Sequence, residues 1–164
     1  MKFIKQTDDY SCGPVAVINA LLISNKHAGR AVQRQVAYLC DAKYEHKDGF
    51  CGTRPENIER AIQKFWTPQH HVGSERCSLY FQHSSPGSFA IFLYAKLLKD
   101  GERFYHYAMV HRTEIGWRFE NVPRDRYFVL NTYLDDCTYP GIDHVVFPQI
   151  WSLGVHLHRT VAKD

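Results

Sequence analysis

Four side chains in this sequence could together break an acyl bond. Cys12 stands before Gly13-Pro14 and opens an apolar run, Val15, Ile18, Leu21 and Leu22, that recurs at helical spacing. Proline suits a first helical turn, where its missing amide hydrogen would have had no partner. A thiol at a helix N-terminus feels the positive end of the macrodipole, which favours thiolate, the nucleophilic form. Gly13 leaves room beside the sulfur for a substrate backbone. The alternative for any lone cysteine is a buried structural role.

Acyl transfer also builds negative charge on the carbonyl oxygen. Gln6 lies six residues before Cys12, across the polar, turn-prone Thr7-Asp8-Asp9-Tyr10-Ser11. Its side-chain amide, beside the amide hydrogen of Cys12, could hold that charge. The base would be His106, which begins the run His106-Tyr107-Ala108-Met109-Val110. Asn121, fifteen residues later, would orient its imidazole, the role of the third member of a triad.

These residues need elements to position them. The second half reads as sheet: a strand over 88–98, the turn Lys99-Asp100-Gly101-Glu102, then a strand over 103–112. A turn centred on Asp100-Gly101 sets Ala95 opposite His106, Leu93 opposite Ala108 and Ile91 opposite Val110. A second hairpin turning on Thr113-Glu114 sets His106 opposite Asn121, Ala108 opposite Phe119 and Val110 opposite Trp117. One apolar face then carries Ile91, Leu93, Ala95, Ala108, Val110, Trp117 and Phe119, with His106 and Asn121 at its edge. Met109, Arg118, Tyr107 and Glu120 would form a more polar, half-exposed face. His111 has the opposite parity to His106 and faces away from it.

Helices are expected in the first half. Arg30 to Cys40 carries Val32, Val36 and Leu39 on one face, and a third helix starts near Pro55 with the stripe Ile58, Ile62 and Phe65. Asp41 to Thr53, with Asp48-Gly49 and Gly52, reads as a loop. Within 67–87 only a short strand at Leu79 to Gln82 suggests itself, and 147–161 reads as one more strand plus an end. With no repeat or linker, residues 1–164 form a single domain.

The stretch Gln6-Thr7-Asp8-Asp9-Tyr10-Ser11-Cys12-Gly13-Pro14-Val15-Ala16, with the His106 strand and Asn121, resembles the papain-like cysteine peptidases. It is most similar to those that cut double-glycine leader peptides from bacteriocins, and to their stand-alone relatives. The resemblance covers the opening motif and the His/Asn hairpin, not the middle from about 42 to 87. It departs at Ser11, where the leader peptidases usually carry Asp, and at Asn121-Val122-Pro123, where they usually carry Asp-Pro. What it implies is an α+β papain-like fold, N-terminal helices packed on a C-terminal antiparallel sheet, with the active site between the Cys12 helix and the His106 hairpin. The catalytic set would be Cys12, His106, Asn121 and Gln6, with Gly13 and Tyr107 meeting substrate. The implied reaction is hydrolysis of a peptide or isopeptide bond, after a Gly-Gly-like sequence, through a thiolate–imidazolium pair. The same triad serves acyl transfer in the phytochelatin-synthase-like relatives that also begin Cys-Gly-Pro, and a binding module could keep the fold without turnover.

Bulk properties narrow the field. The chain has 164 residues, 45% hydrophobic and 23% charged, enough for one globular core. A net charge of +3 with scattered basic residues gives no nucleic-acid footprint. No apolar run reaches the roughly 20 residues a membrane span needs, and the N-terminus has no signal-like stretch, so a cytoplasmic protein is expected. Five cysteines at irregular spacing, 12, 40, 51, 77 and 137, argue for free thiols. Cys40, His46 and Cys51 with His70, His71 or Cys77 match no zinc spacing, so neither metal nor cofactor is expected. Asp8-Asp9 and Asp135-Asp136 read as solvated loop charges, and no phosphate-binding glycine loop is present.

Overall fold

Ten consecutive residues of the first helix, from Cys12 to Leu21, are buried. A helix that is apolar all round belongs inside a core rather than on its surface. In this computed structural model, which describes residues 1–66, 70–72, 77–97, 103–121, 127–128 and 145–154, that helix is α1 (Cys12–Ile23). Two amphipathic helices flank it, α2 (Arg30–Cys40) and α3 (Pro55–Phe65). Asp41 ends α2 in the left-handed conformation. Pro55 begins α3, and Glu56 and Lys64 lie in its first and last turns, as the macrodipole favours.

The strands are β1 (His70–Val72), β2 (Phe89–Leu97), β3 (Arg103–Thr113), β4 (Gly116–Glu120), β5 (Tyr127–Phe128) and β6 (Val145–Gly154). They form one antiparallel sheet in the order β1-β6-β2-β3-β4-β5. The chain is therefore α+β. β6 returns from late in the sequence to lie between β1 and β2, which places Trp151 and Ile150 in the core.

Both faces of the sheet are covered. Ile91, Leu93, Tyr107, Met109 and Trp151 pack on one face with α1, α2 and α3. On the other, Ala90, Phe92, Tyr94, Ala108, Val110, Trp117 and Phe119 pack with residues of α4 (Cys77–His83). The face expected to be half-exposed is largely covered: Tyr107, Met109 and Glu120 are buried, and of its four residues Arg118 alone stays partly exposed.

The registers differ too. Tyr94, not Ala95, lies opposite His106, and Ile91 lies opposite Met109. That one-residue slip exchanges the β2 residues between faces, and burial on both faces makes either assignment look apolar. In the second hairpin Val110 pairs with Phe119 and Thr113 with Gly116, so the turn is Glu114-Ile115. This shift is by two residues and keeps the faces, but Asn121 moves beyond the paired end of β4. The strand expected at Leu79 to Gln82 is part of α4, whose Cys77, Tyr80 and Phe81 are buried at helical spacing while Leu79 is exposed. The Asp100-Gly101 turn and the end of the 147–161 segment lie outside the described residues.

Candidate active site

Asp8 builds the approach to α1. Its carboxylate accepts the amide hydrogens of Tyr10 and Ser11 at 2.9 and 2.7 Å, folding the chain into the turn that delivers Cys12 to the helix start. Burial alone would raise its pKa, but these bonds outweigh it and hold the carboxyl below the usual range. Asp8 is thus a partly exposed loop charge that also holds the turn before α1 in place.

Cys12 is 6% exposed. Burial pushes its thiol up, opposed by the amide hydrogens of Tyr107, Gly13 and Cys12 itself, which face the sulfur. The Tyr107 amide belongs to β3, so the sulfur meets that strand one residue after His106.

His106 is itself buried, and its Nε2 lies 2.6 Å from the main-chain oxygen of Asn121. A carbonyl oxygen can only accept, so Nε2 carries the hydrogen and Nδ1 is the basic nitrogen. Burial lowers the pKa of this imidazole to about 4, partly offset by the Asn121 bond. Burial thus favours the neutral form of both the Cys12 thiol and the His106 imidazole.

The side chain of Asn121 is occupied elsewhere. Its Oδ1 accepts the Gln6 amide hydrogen at 2.9 Å, and its Nδ2 donates to Gln6 Oε1 at 2.7 Å. Asn121 thus reaches His106 through its backbone and Gln6 through its amide. It adopts φ 63°, a left-handed conformation that asparagine tolerates better than most residues. Asn121→Ala removes both Gln6 bonds while keeping the unfavourable φ, so a loss of about 2–4 kcal/mol is expected in urea unfolding. Asn121→Gly should lose measurably less, since glycine accepts the backbone geometry.

Gln6 Nε2 donates to the carbonyl of Asp8 at 2.7 Å. This places its side chain in a hydrogen-bonded chain running from the Cys12 turn to Asn121 and on to His106.

Gly13 has a different reason for being glycine than the one expected. A Cβ there would lie 2.6 Å from Thr53 Oγ1 and 2.8 Å from Thr53 Cβ, so the chain itself fills the space expected for substrate. Helix propensity favours alanine over glycine by about 1 kcal/mol, but overpacking typically costs about 1–3 kcal/mol. Gly13→Ala should therefore be destabilising, read as a lower urea midpoint.

A cleft of about 860 Å³ opens beside the sulfur, between the 49–53 turn, the start of β3 and Leu93. Tyr107 lines it, and its hydroxyl donates to the Thr53 carbonyl at 3.0 Å. The loop wall is firm: Lys43 and Gly52 exchange backbone hydrogen bonds, and His46 Nε2 lies 2.8 Å from the Gly52 oxygen. Arg54 pairs with Asp48 and lies over the Phe50 ring. Asp9, Phe50, Cys51 and Tyr105 also line the cleft and were not singled out as site residues from sequence. Only Gly49 and Gly52, both at positive φ, signal from sequence that this loop is tightly turned.

His106 does not line this cleft. The pleat turns it to the other face from Tyr107, with its ring 5.6 Å from that of Tyr94. The structure thus joins Gln6, Asn121 and His106 by hydrogen bonds, and sets Cys12 and Tyr107 together in the cleft. His111 is on the cleft-side parity and contacts Glu120, which also binds Arg118. Among the described residues no group of three or more His, Cys, Asp or Glu could hold a metal, and no helix is long and apolar enough to cross a membrane. Compared with known proteins, the chain matches no family model and no curated protein.

Proposed function

We infer that the protein is a papain-like cysteine hydrolase acting on a peptide or isopeptide bond, with Cys12 as nucleophile and His106 as base. The observation that carries this reading is the meeting of Cys12 with β3: a thiol at a helix start, lining a cleft, against the backbone amide of Tyr107, the residue that follows the Asn121-tethered His106 in sequence. In the proposed reaction His106 Nδ1 takes the thiol proton as the sulfur attacks the carbonyl carbon. The oxyanion is held by the Cys12 amide hydrogen and by the second hydrogen of Gln6 Nε2, the first being given to Asp8. His106 then protonates the leaving amine, and water releases the acyl group from sulfur. Because burial favours the neutral form of both groups, proton transfer accompanies attack instead of preceding it.

A specific observation favours a second reading, a binding module without turnover: the ring of His106 is buried and on the face of the sheet opposite Tyr107. Incubation with a peptide library followed by mass spectrometry separates the two. New free carboxyl termini mark hydrolysis, and conjugates to added amines mark acyl transfer by the same residues. Intact peptides, with no acyl group captured on Cys12, would support the module and end the hydrolase reading.

A further inference from the structure

The cleft beside Cys12 is too large and too apolar for a diglycine segment to fill. Its walls include Phe50, Leu93, Tyr105 and Tyr107, and Tyr105 remains 44% exposed, with its ring accessible from solvent. Two glycines would leave that surface wet. Among the described residues lining the cleft, Asp9 carries the one formal charge, and it is exposed. The nearby cation Arg54 is already committed to Asp48 and to the Phe50 ring. The negative field of Asp9 extends into the cleft, where it raises the Cys51 thiol after burial has done so.

Aromatic and aliphatic walls with one carboxylate at the mouth suit a long apolar stem ending in a cation. Such a side chain lays its methylenes on apolar surface and keeps its charged head near water. A cation near tyrosine and phenylalanine rings also gains from their negative faces. We propose that the cleft recognises a basic side chain, lysine or arginine, next to the carbonyl that Cys12 attacks, with the stem against Leu93, Tyr105 and Tyr107 and the head at Asp9. This rests on the hydrolase reading above and replaces the diglycine substrate implied by the sequence resemblance.

The test uses three aldehydes on the full chain: acetyl-lysinal, acetyl-norleucinal and glycyl-glycinal. Each is captured by addition of the Cys12 sulfur to the aldehyde carbon, with the thiol proton passing to oxygen and nothing oxidised. Norleucine keeps the stem without the charge. An exposed ion pair is a modest interaction, so acetyl-lysinal should inhibit roughly fivefold better than acetyl-norleucinal. Both should exceed glycyl-glycinal. Asp9→Asn should abolish the lysine preference and Asp9→Lys should reverse it, read as the ratio of acetyl-lysinal to acetyl-norleucinal inhibition within each variant. Equal inhibition by the lysine and norleucine aldehydes in the native protein, or strongest inhibition by glycyl-glycinal, would overturn this proposal while leaving the hydrolase reading in place. Failure of all three to capture Cys12 would overturn both.

Discussion

Replacing Cys12 with alanine is expected to abolish turnover, a loss of at least ~10³-fold, because residual rates without a nucleophile come only from binding and oxyanion contacts. The same variant should stay folded. Cys12 sits in the core cluster with Ala16 and Tyr107, yet removing one sulfur leaves a cavity smaller than the large truncations that cost several kcal/mol. An unchanged urea midpoint within about 1–2 kcal/mol, together with lost activity, would therefore report chemistry and not stability. Iodoacetamide labelling adds a second readout. Burial raises the Cys12 thiol, so labelling at pH 7 should be slow and should accelerate as pH rises. Full turnover by the alanine variant would sink the mechanism.

His106→Gln should have the second largest effect, and it acts on two observables. Without a base, activity should fall by ~10²–10⁴-fold. Stability changes with pH in a defined direction. In the unfolded chain the imidazole has a pKa near 6.5, and in the folded protein burial lowers it to about 4. Between those values the unfolded state binds the additional proton, so stability is present above about pH 6.5 and is lost as pH falls toward about 4. A difference of that size corresponds to about 3 kcal/mol. Urea unfolding at pH 7 and pH 4 should show the loss in the native protein and a smaller one in His106→Gln. Equal slopes in the two proteins would mean that the ring is not buried neutral. Carboxylates such as Asp8 and Asp48, held low by their hydrogen bonds, contribute in both proteins and cancel in the comparison.

Much of the helical half was legible because its signals are local. The spacing of Val36, Ile58 and Ile62, the position of Pro55 and the apolar run after Cys12 each mark a helix without reference to the rest of the chain. The strands were legible as strands, but their registers were not. Alternation identifies a register only when one face is wet, and here Ile91 and Phe92 are both fully buried, on opposite faces. α4 read as a strand because its aromatic residues, Tyr80 and Phe81, favour strands locally, and only packing against Trp117 and Phe92 reveals the helix.

Within the candidate site, the association of Gln6, His106 and Asn121 was foreseeable from residue type and spacing. The detail was not. Asn121 was expected to orient His106, but the sequence did not say by which group: the backbone oxygen holds the ring while the side-chain amide holds Gln6. A left-handed backbone at 121 decides this, and no composition or periodicity encodes it. Thr53 was hidden for a similar reason. Its contact with Gly13 is made across forty residues by a loop whose path depends on the Lys43–Gly52 bridge.

The two hydrogen bonds between Gln6 and Asn121 join residues 115 positions apart. During synthesis the first partner leaves the ribosome long before the second exists, at rates near 5–20 residues per second. The Cys12 helix can form early, since its backbone hydrogen bonds are local, but the tether on His106 must await the synthesis of residue 121. Such a distant closure carries a large loop entropy and slows folding relative to the helices around it. A nascent chain would therefore display its thiol for several seconds before the histidine is held in place.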